Sequence, residues 1–129
     1  MSAVSGFLHR QQTEFTEGMQ KWDYLYSGDA ARILVGLAEY GSSGAVYCVG
    51  SGKTALLKEY IHQIYRQVNG KDASDQELGI GMRPYMDKQV MHLQADVSEW
   101  PDELQKELEE KPMCSFEQGI QETVEWLKR

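Results

Sequence analysis

The sequence predicts an α/β (α+β) fold: a small, mostly parallel sheet with flanking helices. Three observations predict it. Ala45-Val46-Tyr47-Cys48-Val49 is a compact apolar run bounded by glycines, the pattern of a strand buried on both faces of a parallel sheet. A helical period follows over residues 54–68. Leu57, Tyr60, Ile61, Ile64, Tyr65 and Val68 lie on one side, and Lys58, Glu59, His62 and Arg66 on the other. After a polar loop at residues 71–76, a second strand is expected at residues 78–82. That order is a strand–helix–strand unit, whose crossover is right-handed.

The opening residues carry no strong period, so residues 1–14 are expected either to continue a helix or to be mobile. Residues 19–26 read as extended, because Trp22, Tyr24 and Tyr26 alternate with Asp23 and Leu25. Ser27-Gly28-Asp29 starts a helix, and Ala30, Ile33, Leu34 and Leu37 form one apolar stripe along it. Gly41-Ser42-Ser43-Gly44 ends it and turns the chain. Asn69-Gly70 stops the long helix, since both residues tolerate the left-handed conformation. Residues 83–95 are irregular. Ser98 is expected to cap a helix with Pro101 in its first turn. Ser115-Phe116-Glu117-Gln118 is a capping-box pattern; it opens a final helix with Phe116, Ile120, Val124 and Leu127 facing inward. There is no internal repeat and no low-complexity tract.

At 129 residues the chain reads as a single domain, residues 1–129. A chain of this size buries roughly two-thirds of its unfolded surface, enough for a core. The net charge of −7 argues against a nucleic-acid partner, which requires clustered Lys and Arg. The acidic stretch at residues 99–110 reads as a solvated helix face. No apolar stretch approaches the ~20 residues that span a bilayer, so no membrane partner is expected. The N-terminus lacks a charged leader followed by an apolar block, so no signal peptide is expected. Two cysteines, Cys48 and Cys114, are too few for a disulfide scaffold. A reduced, cytoplasmic setting fits, with Cys48 a buried small residue.

Gly50-Ser51-Gly52-Lys53-Thr54 ends as a phosphate-binding loop does. The full pattern needs a glycine five residues before Gly52, where Tyr47 stands. The loop is too short to curl successive N–H groups around a triphosphate. A tight strand-to-helix turn is the better reading, and a nucleotide-triphosphate site on this turn the lesser one. His9, His62 and His92 show no metal-ligand spacing, so no metal is expected.

Two blocks carry a family resemblance. One is Trp22-Asp23-Tyr24-Leu25-Tyr26-Ser27-Gly28-Asp29; the other is Tyr47-Cys48-Val49-Gly50-Ser51-Gly52. With Arg83-Pro84, Gln94-Ala95-Asp96-Val97-Ser98 and the closing helix through Trp126, they resemble the C-terminal, substrate-side part of NAD-dependent epimerase/dehydratases. These are extended short-chain dehydrogenases acting on nucleotide sugars. The resemblance runs from about Phe15 to Trp126. Cys48 replaces the more usual Asn, and Glu99 stands where a lysine is common. The resemblance implies that Arg83 holds the nucleotide diphosphate, as a guanidinium fork suits phosphate oxygens. Trp22 and Tyr24 are substrate-binding candidates too, with core packing the competing reading.

The family's chemistry lies upstream of these blocks. It needs a glycine-rich turn after the first strand to seat NAD, and this sequence has none. It also needs a Tyr with a Lys four residues later, and no tyrosine here has one. The resemblance therefore implies a truncated module with no catalytic residue and no cofactor of its own, NAD belonging to the full-length family. Such a module is expected to lack activity alone, with weak nucleotide-sugar binding. Its partners are a nucleotide-diphosphate sugar and either a second copy, as a homodimer, or a separate Rossmann-type chain whose substrate site it completes.

Overall fold

A computed structural model describes residues 2–129. Six helices surround a small mixed sheet. In chain order they are α1 (Ser2–Leu8), β1 (Lys21–Trp22), α2 (Ser27–Tyr40), β2 (Ala55–Leu56), α3 (Leu57–Asn69), α4 (Asp75–Leu78), β3 (His92–Leu93), α5 (Asp102–Glu110) and α6 (Phe116–Leu127). The sheet order is β2-β1-β3. β1 pairs in parallel with β3, Lys21 opposite His92, and antiparallel with β2, Lys21 opposite Leu56. The α/β class holds, but the sheet is mixed rather than mostly parallel.

Three helices form where local signals place them. α2 starts at Ser27, and α3 closes on Gly70 in the left-handed conformation at φ 70°. α6 opens on the Ser115 capping box: the Ser115 hydroxyl accepts from the Gln118 N–H, and the Gln118 side chain accepts from the Ser115 N–H. This reciprocal pair satisfies two N–H groups that a helix start leaves free.

Two hydrophobic clusters hold the elements together. Phe7, Ile61 and Leu78 join α1, α3 and α4, and the Phe7 ring meets Tyr65 edge-on at 5.2 Å. The opening residues are thus a helix that docks Val4 and Phe7 inward, although a segment this short carries no clear period. Ile33, Trp100 and Leu104 join α2 to α5, with Leu37 and Tyr47 against them. Gly36 makes this contact possible, since a Cβ there would lie 2.5 Å from Leu104 Cδ1. The acidic stretch is the solvated face of α5, which buries only Leu104.

Several expectations are corrected. Residues 45–49 form no strand: the run pairs with no described segment, and its contact with the chain at Trp100 is through the indole, which donates to the Cys48 carbonyl. Val46 is 91% exposed and Cys48 is exposed rather than buried; Tyr47 turns inward. Residues 78–82 form no second strand either. Ser74 and Glu77 build a capping box that starts the one-turn helix α4, and Gly79 at φ 73° ends it. What remains of the expected strand is one parallel bridge, Ile80 to Phe15. The strand–helix–strand crossover is therefore absent. α3 starts at Leu57 rather than residue 54, because Ala55 and Leu56 are drawn into the sheet beside β1. Ser98 does not cap α5. Its hydroxyl bonds Asp96 at 2.6 Å, and α5 starts after Pro101. Leu34 leaves the expected stripe and is 57% exposed. Among the described residues, no helix is long and apolar enough to cross a membrane.

Candidate functional site

The irregular segment at residues 79–95 lies along residues 15–24 and makes a seam with them. Arg83 N–H donates to the Phe15 carbonyl, and Phe15 N–H donates to that of Gly79. Lys21 and Asp23 N–H groups donate to the carbonyls of Met91 and Leu93. The Tyr85 hydroxyl accepts from Met19 N–H at 3.1 Å. Two of the three sequence candidates sit on this seam. The Trp22 indole N–H donates to the Val90 carbonyl at 2.9 Å, which fixes the ring over the strand. Arg83 lies at the other end, its side chain 67% exposed, with Nε 3.8 Å from Glu14 Oε2.

Tyr24 goes elsewhere. Its ring meets Tyr60 of α3 at 4.7 Å and Phe116 of α6 at 6.1 Å, both edge-on. Burial and the neighbouring Tyr60 hold its hydroxyl pKa above the usual range, so it is no base at neutral pH. This aromatic trio lines a cavity of about 1030 Å³ between α3, α6 and the chain around Tyr26. Among the described residues, Lys53 is the one charged side chain on its wall. Apolar concavities with few polar groups are the usual form of small-molecule sites. Arg83 and Trp22 do not line it, so the three candidates are not gathered in one concavity.

The most heavily bonded side chain of the region is Asp23. One carboxylate oxygen accepts from the Ser51 N–H at 2.9 Å and the Ser51 hydroxyl at 2.6 Å. The other accepts from Gly52 N–H at 2.8 Å and Ala95 N–H at 3.2 Å. Burial pushes its pKa up, but the Ser51, Ala95 and Gly52 bonds outweigh that, and the net shift is downward. Gly50 fits beneath because a Cβ there would collide with Ala95 and come 2.9 Å from the Asp23 carboxylate. The glycines of this turn serve close packing. The same geometry weighs against a triphosphate site: the N–H groups a phosphate would need are held by Asp23, and Lys53 precedes a strand rather than opening a helix.

A second aspartate clamps the first turn of α2. Asp29, 3% exposed, accepts from Arg32 at 3.0 Å and from Cys114 N–H at 2.7 Å. Arg32 also donates to the Lys111 carbonyl at 2.6 Å. Burial and the Asp29 charge raise the Cys114 thiol pKa, which keeps it from being a ready nucleophile. Among the described residues, no three His, Cys, Asp or Glu side chains gather as a metal site. Sequence reasoning matched Asp23 and Asp29 to a motif but did not show what they bind, since their partners lie up to 85 residues away.

The fold of this chain is similar to one portion of a larger solved protein, the dTDP-glucose 4,6-dehydratase of Bacillus anthracis str. Ames in complex with NAD. It matches at a TM-score of 0.72 and 23% identity, over 98% of this chain and 38% of that chain. The likeness shows the fold. No family profile and no curated protein matches this chain.

Proposed function

We propose that this chain is a nucleotide-sugar-binding type of module, equivalent to the C-terminal, substrate side of an NAD-dependent epimerase/dehydratase, and without catalytic activity by itself. The observation that supports the reading is the fold match, which takes in almost all of this chain and 38% of the dehydratase. The residue pattern around Trp22, Tyr47 and Arg83 points the same way. In this reading Arg83 is the phosphate contact. Its side chain is exposed and 3.8 Å from Glu14, a weak surface pair that an incoming diphosphate can replace with a bidentate one. Trp22, on the same seam as Arg83, offers aromatic surface to the base or sugar, whereas Tyr24 packs against Tyr60 and Phe116. NAD is assigned to the part of the family's proteins that this chain does not resemble. A second reading makes the chain an accessory subunit that completes the substrate site of a separate dehydrogenase. The exposed apolar face of α2, with Leu34 and Val35 in solvent, favours it.

Calorimetric titration with NAD and with dTDP-glucose tests the proposal. The expected outcome is no heat with NAD and weak binding of the sugar nucleotide. Arg83→Ala is expected to weaken that binding at least tenfold, about 1.4 kcal/mol. Binding of NAD, or turnover of dTDP-glucose by the chain alone, would overturn the proposal. Unchanged affinity in Arg83→Ala would remove Arg83 from the site.

A further inference from the structure

The cavity between α3 and α6 has no role in the module reading above. α3 presents Leu57, Ile61 and Ile64 to it, and α6 presents Phe116, Ile120 and Thr123. Each set recurs at the spacing of one helical face. Along α3 the row from Leu57 to Ile64 runs about 10 Å, at 1.5 Å per residue. Tyr24 and Tyr60, in edge-on contact, add aromatic wall. The result is an elongated apolar trough of about 1030 Å³, a size that suits a small-molecule ligand.

Its charge is out of keeping with the rest of the chain. The sequence holds 20 acidic and 13 basic residues. Yet among the described residues no Asp or Glu lines the trough, and the one charged residue that does is Lys53. Both backbone groups of Lys53 bond the Ser51 hydroxyl. Its ammonium has no carboxylate partner among the described residues. Gln118 lines the trough too; its side-chain oxygen accepts from Ser115 N–H, and its amide nitrogen remains a donor. Apolar walls, one cation, a neutral donor and no carboxylate suit a ligand with an apolar body and a single anionic head. A cationic ligand finds no counter-charge there, and a polyphosphate finds only one.

We propose that this trough binds a straight-chain monocarboxylate of medium length. The acyl chain lies between α3 and α6 against Tyr24, Tyr60 and Phe116, and the carboxylate meets the Lys53 side chain. The length of the aliphatic row favours a flexible chain over a compact ring system. The carboxylate does not need the N–H groups of the 50–52 turn, which Asp23 holds. Arg83 and Trp22 do not line the trough, so this site is separate from the nucleotide-sugar seam and does not rest on the module reading.

The test is calorimetric titration of the full chain with decanoate below its micellar concentration. Proton NMR cross-relaxation between the decanoate methylenes and the rings of Tyr24, Tyr60 and Phe116 locates the ligand. Saturable binding with contacts to these rings is expected. Octanoate should bind about fivefold more weakly, because it buries two fewer CH2 groups in a partly enclosed trough. Decanol should lose about threefold, and so should decanoate on Lys53→Gln, the usual size of an exposed ion pair. Lys53 is exposed, so this variant keeps the fold, and its affinity for decanol should be unchanged. Ile120→Trp, which fills the trough, should abolish binding; if thermal melts show that it does not fold, Lys53→Gln and decanol carry the test. No binding overturns the proposal, as does heat without ring contacts, which places the molecule elsewhere. Equal affinity for decanoate and decanol, or no effect of Lys53→Gln, overturns the anionic class. Tighter binding of 2-naphthoate than of decanoate overturns the acyl chain. Each of these failures leaves the response to dTDP-glucose, and with it the module reading, untouched.

Discussion

The two faces of α2 have nearly the same composition and opposite fates. Ile33 is fully buried against Trp100 and Leu104, while its neighbour Leu34 is 57% exposed. Inward, Gly36 lets α5 approach to contact distance. Outward, Ala31, Leu34, Val35 and Ala38 are exposed. Apolar character alone therefore does not say where a side chain is buried. What decides it is whether the same chain supplies a surface to meet it.

The sharpest way to break this comparison is a pair of truncations one residue apart. Ile33→Ala is expected to cost about 3 kcal/mol, the usual penalty for a cavity in a packed core. Leu34→Ala should change stability by less than about 0.5 kcal/mol. Urea denaturation midpoints read both. Equal losses would mean that the outer face is already covered in solution.

The next largest effect concerns the turn between the two regions. Asp23→Ala removes the acceptor for three backbone N–H groups and the Ser51 hydroxyl. A loss of about 2 kcal/mol is expected, since the site is only partly buried and water can replace some bonds. The same carboxylate gives a pH signature. Its pKa in the folded protein lies below the ordinary value of 3.8, so its stabilisation is complete above that value. It fades as pH falls through the ordinary carboxylate range toward the lower folded value. Acid titration of thermal midpoints should show a steeper fall below about pH 4 in the parent than in Asp23→Ala. Parallel curves would show that the bonds add nothing specific to the charged form. The smallest effect expected is that of Val46→Asp on the chain alone, below about 0.5 kcal/mol, because the side chain is already in water. Thermal melts check it.

Much of this molecule was legible where the signal is local. α2, α3 and α6 follow from start residues, stop residues and period, and the Ser115 box appears bond for bond. What failed depended on partners distant in sequence. The pattern of residues 45–49 reads as a strand buried on both faces, but the run pairs with no described segment and Val46 is 91% exposed. Residues 55 and 56 carry a helical pattern but yield to pairing with Lys21 and Trp22. α1 is too short to show a period, yet its Phe7 finds Tyr65 and Ile61. For the site, the sequence named Trp22, Tyr24 and Arg83 as a group. The fold sends Tyr24 to the α3–α6 cavity and leaves the others on the seam, because side chains at positions 22 and 24 meet different neighbours once the sheet ends at Trp22.

The Asp23 carboxylate inside the 50–52 turn has a consequence for how this protein meets small anions. A tethered acceptor competes with free ones at an advantage set by the chain itself, equivalent to millimolar ligand or more for a short span. Phosphate and ATP at cellular levels therefore face an occupant that never diffuses away. A free anion at this turn would have to displace an acceptor that the chain itself holds in place.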